Sequence, residues 1–163
     1  MEKRKRYRCG AITLGSQCVV SDPCYNENDT HCYKVLSNVK CGVWKSVIPI
    51  IENERGFGRV SKLVLRHEEN NERIQPNEYI GSVCVDSGTC GISELDYFKE
   101  TRNDEKWYVQ NVCNGFYMKK SQSNNVEQKY IFCCSGYGDG IYPVYVKRNN
   151  EGEITCITID FMI

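Results

Sequence analysis

Ile141-Tyr142-Pro143-Val144-Tyr145-Val146, Asn149-Asn150-Glu151-Gly152 and Ile154-Thr155-Cys156-Ile157-Thr158-Ile159-Asp160-Phe161 follow one another almost without a break. In the last run Thr155, Ile157, Ile159 and Phe161 fall on one side and Ile154, Cys156, Thr158 and Asp160 on the other, the period of two that a strand imposes on its side chains. The Asn-Asn-Glu-Gly stretch is hairpin-turn chemistry, so the two flanking strands run antiparallel. Working outward, alternating or apolar runs recur at 7–14, 17–20, 42–51, 59–66, 79–85 and 130–134, and Asn53-Glu54-Arg55-Gly56 offers a second hairpin turn. The fold class predicted is mainly β (α+β): a compact antiparallel β-sandwich or partly open barrel with one or two short helices. One helix starts at Asp104 as cap and places Trp107 or Tyr108, Val112 and Phe116 at helical spacing through Tyr117. A shorter turn over 93–99, capped by Ser93, turns Leu95 and Phe98 inward. The polar stretches 68–78 and 121–128 read as loops.

The chain has 163 residues, the size of one domain with a core of its own, and the expectation is a single domain over 1–163. Lys plus Arg equals Asp plus Glu at 21 each, so no global positive field draws the protein onto bulk nucleic acid or an anionic membrane. The charge asymmetry is local: Lys3, Arg4, Lys5, Arg6 and Arg8 make a basic start. Eleven cysteines is an odd number, and no apolar signal segment follows that start, which together predict free thiols in a reducing cytoplasm. Cys9, Cys18, Cys41, Cys84, Cys133 and Cys156 lie in apolar or β-branched runs and read as small hydrophobic residues. No window has the uncharged length of about 20 residues that a membrane helix requires, so a soluble protein is expected.

Three turns follow strand-like runs and carry an aspartate: Ser21-Asp22-Pro23-Cys24-Tyr25, Val85-Asp86-Ser87-Gly88 and Ser135-Gly136-Tyr137-Gly138-Asp139-Gly140. Three glycines in the last six residues let the backbone turn sharply or approach a ligand. Each aspartate has a local reading, an Asx turn in which the carboxylate accepts the turn's own amides. The shared reading is that strand ends bring Asp22, Asp86 and Asp139 into one cleft with Ser87, Gly88, Ser135 and Tyr142. There Gly136, Gly138 and Gly140 could cradle an anion, and Tyr25, Tyr137 and Tyr142 offer faces to a base. A small polar, nucleotide-like ligand suits that set. The loop matches neither the phosphate loop ending in Gly-Lys-Ser/Thr nor the dinucleotide fingerprint.

Other chemistry has less to build on. Cys24, His31 and Cys32 have the softness for zinc, but their spacing fits no zinc ribbon or finger and the chain has no Cys-x-x-Cys, so no metal ligands and no cofactor are assigned. Adjacent Cys133 and Cys134 in a strand face opposite ways and cannot share an ion without a bulge. His67 sits among Arg66, Glu68 and Glu69 and reads as a surface residue, leaving His31 near Cys24 or Cys32 as the one arrangement for an activated thiol. No catalytic residues are assigned.

With their order and their flanking Cys32, Gly91-Ile92 and Tyr145, the three Asp turns resemble a family of small bacterial and phage proteins described only as a domain of unknown function, over about 15–161. The resemblance implies a compact β-rich domain and no activity; members often carry tryptophan where this chain has His31. A phage setting adds, by analogy, a role in which the protein sequesters a nucleotide-like immune signal of the host. The expected function is thus a non-enzymatic small-ligand-binding domain, with two alternatives: a metal-dependent hydrolase using the clustered aspartates, or a protein-interaction module. Homo-oligomer formation stays open.

Overall fold

The computed structural model describes residues 3–70, 76–118 and 122–163. In chain order the strands are β1 (Lys3–Tyr7), β2 (Ala11–Leu14), β3 (Cys18–Ser21), β4 (Lys34–Leu36), β5 (Gly42–Glu52), β6 (Gly58–Val60), β7 (Lys62–His67), β8 (Glu78–Val85) and β9 (Thr89–Glu94). Helices α1 (Leu95–Thr101) and α2 (Glu105–Tyr108) follow, α2 running into a π-helix, Val109–Tyr117; then come β10 (Ser123–Val126), β11 (Tyr130–Cys134), β12 (Gly140–Arg148) and β13 (Ile154–Asp160). Two antiparallel sheets result, with no closed barrel. The larger runs β1-β5-β7-β13-β12-β8, with β2 and β6 also paired to β5, and the smaller runs β10-β11-β9-β3-β4.

The hairpin at Asn149–Gly152 is present: Asn149 N–H donates to Glu153 O and Gly152 N–H to Asn149 O, joining β12 to β13. Asn53 to Gly56 turns β5 into β6 in the same way. Between the sheets lies the main core, where Trp44, Leu63, Leu65 and Ile157 of the larger sheet meet Val20, Ile92, Ile131 and Cys133 of the smaller. Strand β11 shows the period of two cleanly. Ile131 and Cys133 enter that core, while Tyr130 and Phe132 face outward onto Tyr97, Val112 and Phe116 of the helical segment, which roofs the smaller sheet.

Several sequence readings change. The run 7–14 is two strands split at Gly10, whose φ of 77° breaks the ladder, and 59–66 is split at Ser61. Strands β4, β9 and β10 were not expected, and β10 replaces the loop reading of 121–128, of which residue 121 lies outside the described residues, as do 71–75 of the 68–78 stretch. The cap of α1 is Glu94, whose carboxylate accepts from Asp96 N and Tyr97 N; Ser93 is a buried strand residue. Asp104 does cap α2, accepting from Lys106 N and Trp107 N. His67 is no surface residue: it is buried, with Nε2 against Cys41 O at 2.9 Å and Nδ1 accepting from Glu69 N at 3.2 Å, so both ring nitrogens are used by backbone. All eleven cysteines are free. No helix among the described residues is long and apolar enough to cross a membrane.

Candidate functional site

Two of the three aspartate turns are corners where the chain leaves one sheet for the other. β8 belongs to the larger sheet and β9 to the smaller, so 86–88 is one corner; β11 and β12 make 135–139 another. Because β8 pairs with β12 and β9 with β11, the corners lie side by side. Ser135 N–H donates to Gly88 O at 3.0 Å, and a Cβ on Gly88 would stand 4.0 Å from Gly138 Cα. The third turn arrives because β3 pairs with β9, ending Ser21 opposite Gly91 and placing Asp22 under the first corner.

Asp22 is fully buried. Its Oδ1 accepts from Cys24 N at 2.7 Å and Ser87 Oγ at 2.6 Å, and its Oδ2 from Asp86 N at 2.8 Å and Ser87 N at 2.7 Å. Four donors on one carboxylate convert the expected ligand group into a brace that clamps the 86–88 corner to the 22–24 turn. Since the Ser87 hydroxyl hydrogen goes to Asp22, Ser87 Oγ accepts from Thr89 Oγ1 at 2.7 Å. Tyr25 is also buried and donates its hydroxyl to Asp86 Oδ2. Burial first, then that carboxylate, pushes the Tyr25 hydroxyl far above its ordinary range, so it keeps the proton that it donates to Asp86.

The third loop has the same two layers. Ser135, buried, donates to Gly138 O at 2.7 Å, and Tyr142 Oη donates to the same oxygen at 2.8 Å. Tyr142 stands edge-on to Phe161 with ring centroids 5.2 Å apart, so it supports the loop from beneath and offers no free face. Gly136 and Gly138 have φ of 69° and 104°, the left-handed region open to glycine, and Gly140 packs against the Tyr142 ring. What faces outward is Tyr137, 69% exposed, together with exposed Asp139 and Asp86.

Two residues the sequence reading missed belong here. The Arg59 guanidinium lies 4.5 Å from the centre of the Tyr137 ring and donates from Nη1 to Gly136 O at 3.2 Å. Tyr117, from the end of the π-helix, donates its hydroxyl to Ser87 O. Both come from elements distant in sequence, and nothing local marks them. A third support holds the first turn: Arg102 donates from Nη1 to Pro23 O at 2.9 Å while its guanidinium lies 4.6 Å from the Tyr130 ring centre and 4.8 Å from that of Phe98.

The nearby thiols are tuned away from reactivity. Desolvation, then the carboxylates of Asp22 and Asp86, pushes the thiol of exposed Cys24 well up, and desolvation and Cys32 push that of half-buried Cys84 up. His31 is exposed, and the contact it makes with this cluster is through its backbone oxygen, 4.0 Å from Cys84 Sγ. Among the described residues no three His, Cys, Asp or Glu side chains are placed to hold a metal ion. The described residues form a concavity of about 170 Å³ lined by Lys40, His67, Asn70, Arg148 and Thr155, and another of about 320 Å³ beside the π-helix at Lys106, Val109 and Asn114. Neither is lined by a residue of the three turns.

No curated protein and no solved structure matches the chain. A family model described as protein of unknown function, DUF4241, matches residues 59–159, which takes in the second and third aspartate turns and stops short of the first.

Proposed function

The chain belongs to the DUF4241 family, proteins of unknown function, and from that premise we propose that it is a non-catalytic binding domain whose recognition surface is the outer layer of the three turns. The observation that carries this reading is the division of labour at the corners. Asp22, Ser87, Ser135 and Tyr142 hydrogen-bond inward and fix the backbone, and Tyr25 holds the Asp86 carboxylate from beneath, leaving Tyr137, Asp139, Asp86 and Arg59 presented at its surface. A rigid support under exposed polar and aromatic groups lowers the ordering cost of binding. The chemistry favours a nucleotide-like ligand: a base on Tyr137, phosphate near Arg59 and the glycine loop, hydroxyls on Asp139. The role that goes with it is sequestration of a host nucleotide signal by a phage-encoded protein.

A hydrolase reading loses one of its three carboxylates, because both oxygens of Asp22 already accept two hydrogens each. A protein-interaction reading has one observation in its favour: Ile141, beside the loop, is 69% exposed.

Native mass spectrometry of protein purified from cells is expected to show a co-purifying mass. Calorimetry with a panel of cyclic and linear adenine and guanine nucleotides then gives affinities, and Asp139→Asn, which keeps one acceptor oxygen, should weaken binding by about 1–2 kcal/mol at unchanged Tm. Multiple-turnover cleavage of any nucleotide in the presence of divalent ions would replace the binder with an enzyme, and a Tyr137→Ala variant that loses a protein partner while no nucleotide binds would favour the interaction module.

A further inference from the structure

We propose that the outer edge of β1 is a docking site for an acidic peptide in extended conformation, which joins the larger sheet as one more strand. β1 pairs on one side with β5, from Lys3 opposite Glu52 to Tyr7 opposite Ile48, and it stands at the end of the strand order. Among the described residues no strand pairs with its other side. Every residue of β1 is exposed, whereas β2, which continues along the same partner after the Gly10 break, buries Ile12 and Leu14. The smaller sheet covers β2 and leaves β1 beyond its reach, with water on both faces.

The side chains on this edge select a partner by charge. Lys3, Lys5 and Tyr7 alternate with Arg4 and Arg6, so cations stand on both faces of the strand, and Arg8 follows. The chain as a whole has 21 cationic and 21 anionic residues, so this is a concentration of charge and not an overall excess. Lys5 is ion-paired, to Glu52 of β5 at 2.6 Å; Lys3, Arg4, Arg6 and Arg8 have no ion pair among the described residues. An edge strand carries a row of backbone donors and acceptors, and lysine and arginine along it repel a second copy of the same strand and leave an apolar strand uncompensated. An acidic strand meets neither obstacle. It completes the ladder through its backbone and places carboxylates opposite the cations, as Glu52 already does on the occupied side. A polynucleotide would satisfy the charges but has no backbone to extend the ladder, so the edge favours a peptide. The site lies outside residues 59–159 and is independent of the three turns.

The test is fluorescence anisotropy with a labelled octapeptide of alternating Glu and Val. Saturable binding is expected, weakening at least about tenfold between low and moderate salt, and abolished by the double change Arg4→Glu and Arg6→Glu at unchanged Tm, since both side chains are exposed. The same peptide N-methylated at every residue keeps its charge and loses its backbone donors; it should bind at least about tenfold more weakly. Absence of peptide binding, equal binding of the N-methylated peptide, or tighter binding of an oligonucleotide of equal charge would each overturn the proposal.

Discussion

Asparagine at position 22 cannot stand in for the aspartate there. Turned one way, its NH2 meets Asp86 N and Ser87 N; turned the other, it meets Cys24 N and Ser87 Oγ has to give up its donation. Asp22→Asn should cost about 2–4 kcal/mol, a Tm loss of roughly 5–15 °C in a chain of this size, measured by thermal denaturation. Ser87→Ala, which removes the hydroxyl's bonds to Asp22 and Thr89 and leaves the charge satisfied by three amides, should cost about 1–2 kcal/mol. The sequence showed that Asp22 caps a turn, and Cys24 N–H on its Oδ1 is that Asx contact. It did not show that the other oxygen is taken by the 86–88 corner. That depends on β3 lying beside β9, a pairing 70 residues apart that no local pattern encodes. Arg59 and Tyr117 were invisible for the same reason.

At the scale of elements, two glycines of one loop separate a structural demand from a surface one. A Cβ on Gly136 would stand 2.6 Å from Ile163 Cδ1, 3.1 Å from Val60 O and 3.2 Å from Phe161 Cβ, in a backbone at φ 69°. Gly138, at φ 104°, has nothing within 4 Å. Gly136→Ala should therefore cost about 2–4 kcal/mol through crowding added to strain, and Gly138→Ala about 1–2 kcal/mol through strain alone; equal losses in Tm would refute the assignment. Strands with clear alternation and turns rich in Asn and Gly were legible, and β5, β8, β11, β12 and β13 stand within a few residues of where the sequence put them. β9 was not, because its apolar alternation is only Cys90 and Ile92 on either side of Gly91, too short a run to stand out. It is a strand because β11 and β3 flank it, and Gly91 admits Ile131 O to a point 2.0 Å from where a Cβ would be. The helix after Asp104 was placed by its cap, but spacing alone does not distinguish the π-helical turns of Val109–Tyr117 from α-helical ones, since Val112 and Phe116 share a face in both.

Across the whole molecule, the buried acidic protons set an alkaline limit. Burial pushes the thiols of Cys18, Cys90 and Cys133 well above the ordinary 9.0, Cys156 up to about 11, and the Tyr130 hydroxyl well above 10.0. In each case the native state keeps a proton that the unfolded chain releases, so stability is intact below pH 9 and falls as pH rises past it. Under reducing conditions Tm should be level from pH 7 to about 8.5 and drop steadily from 9 to 11, at up to ~1.4 kcal/mol per pH unit for each group in play; a level profile to pH 11 would show these protons are not retained. The strand order carries a consequence for synthesis. β13 lies between β7 and β12, so on the ribosome the centre of the larger sheet is empty until residues 154–160 emerge. Until then β7 and β12 each present an open edge in a nascent chain that cannot close its core, and unpaired edges of that kind are what chaperones bind and what aggregates.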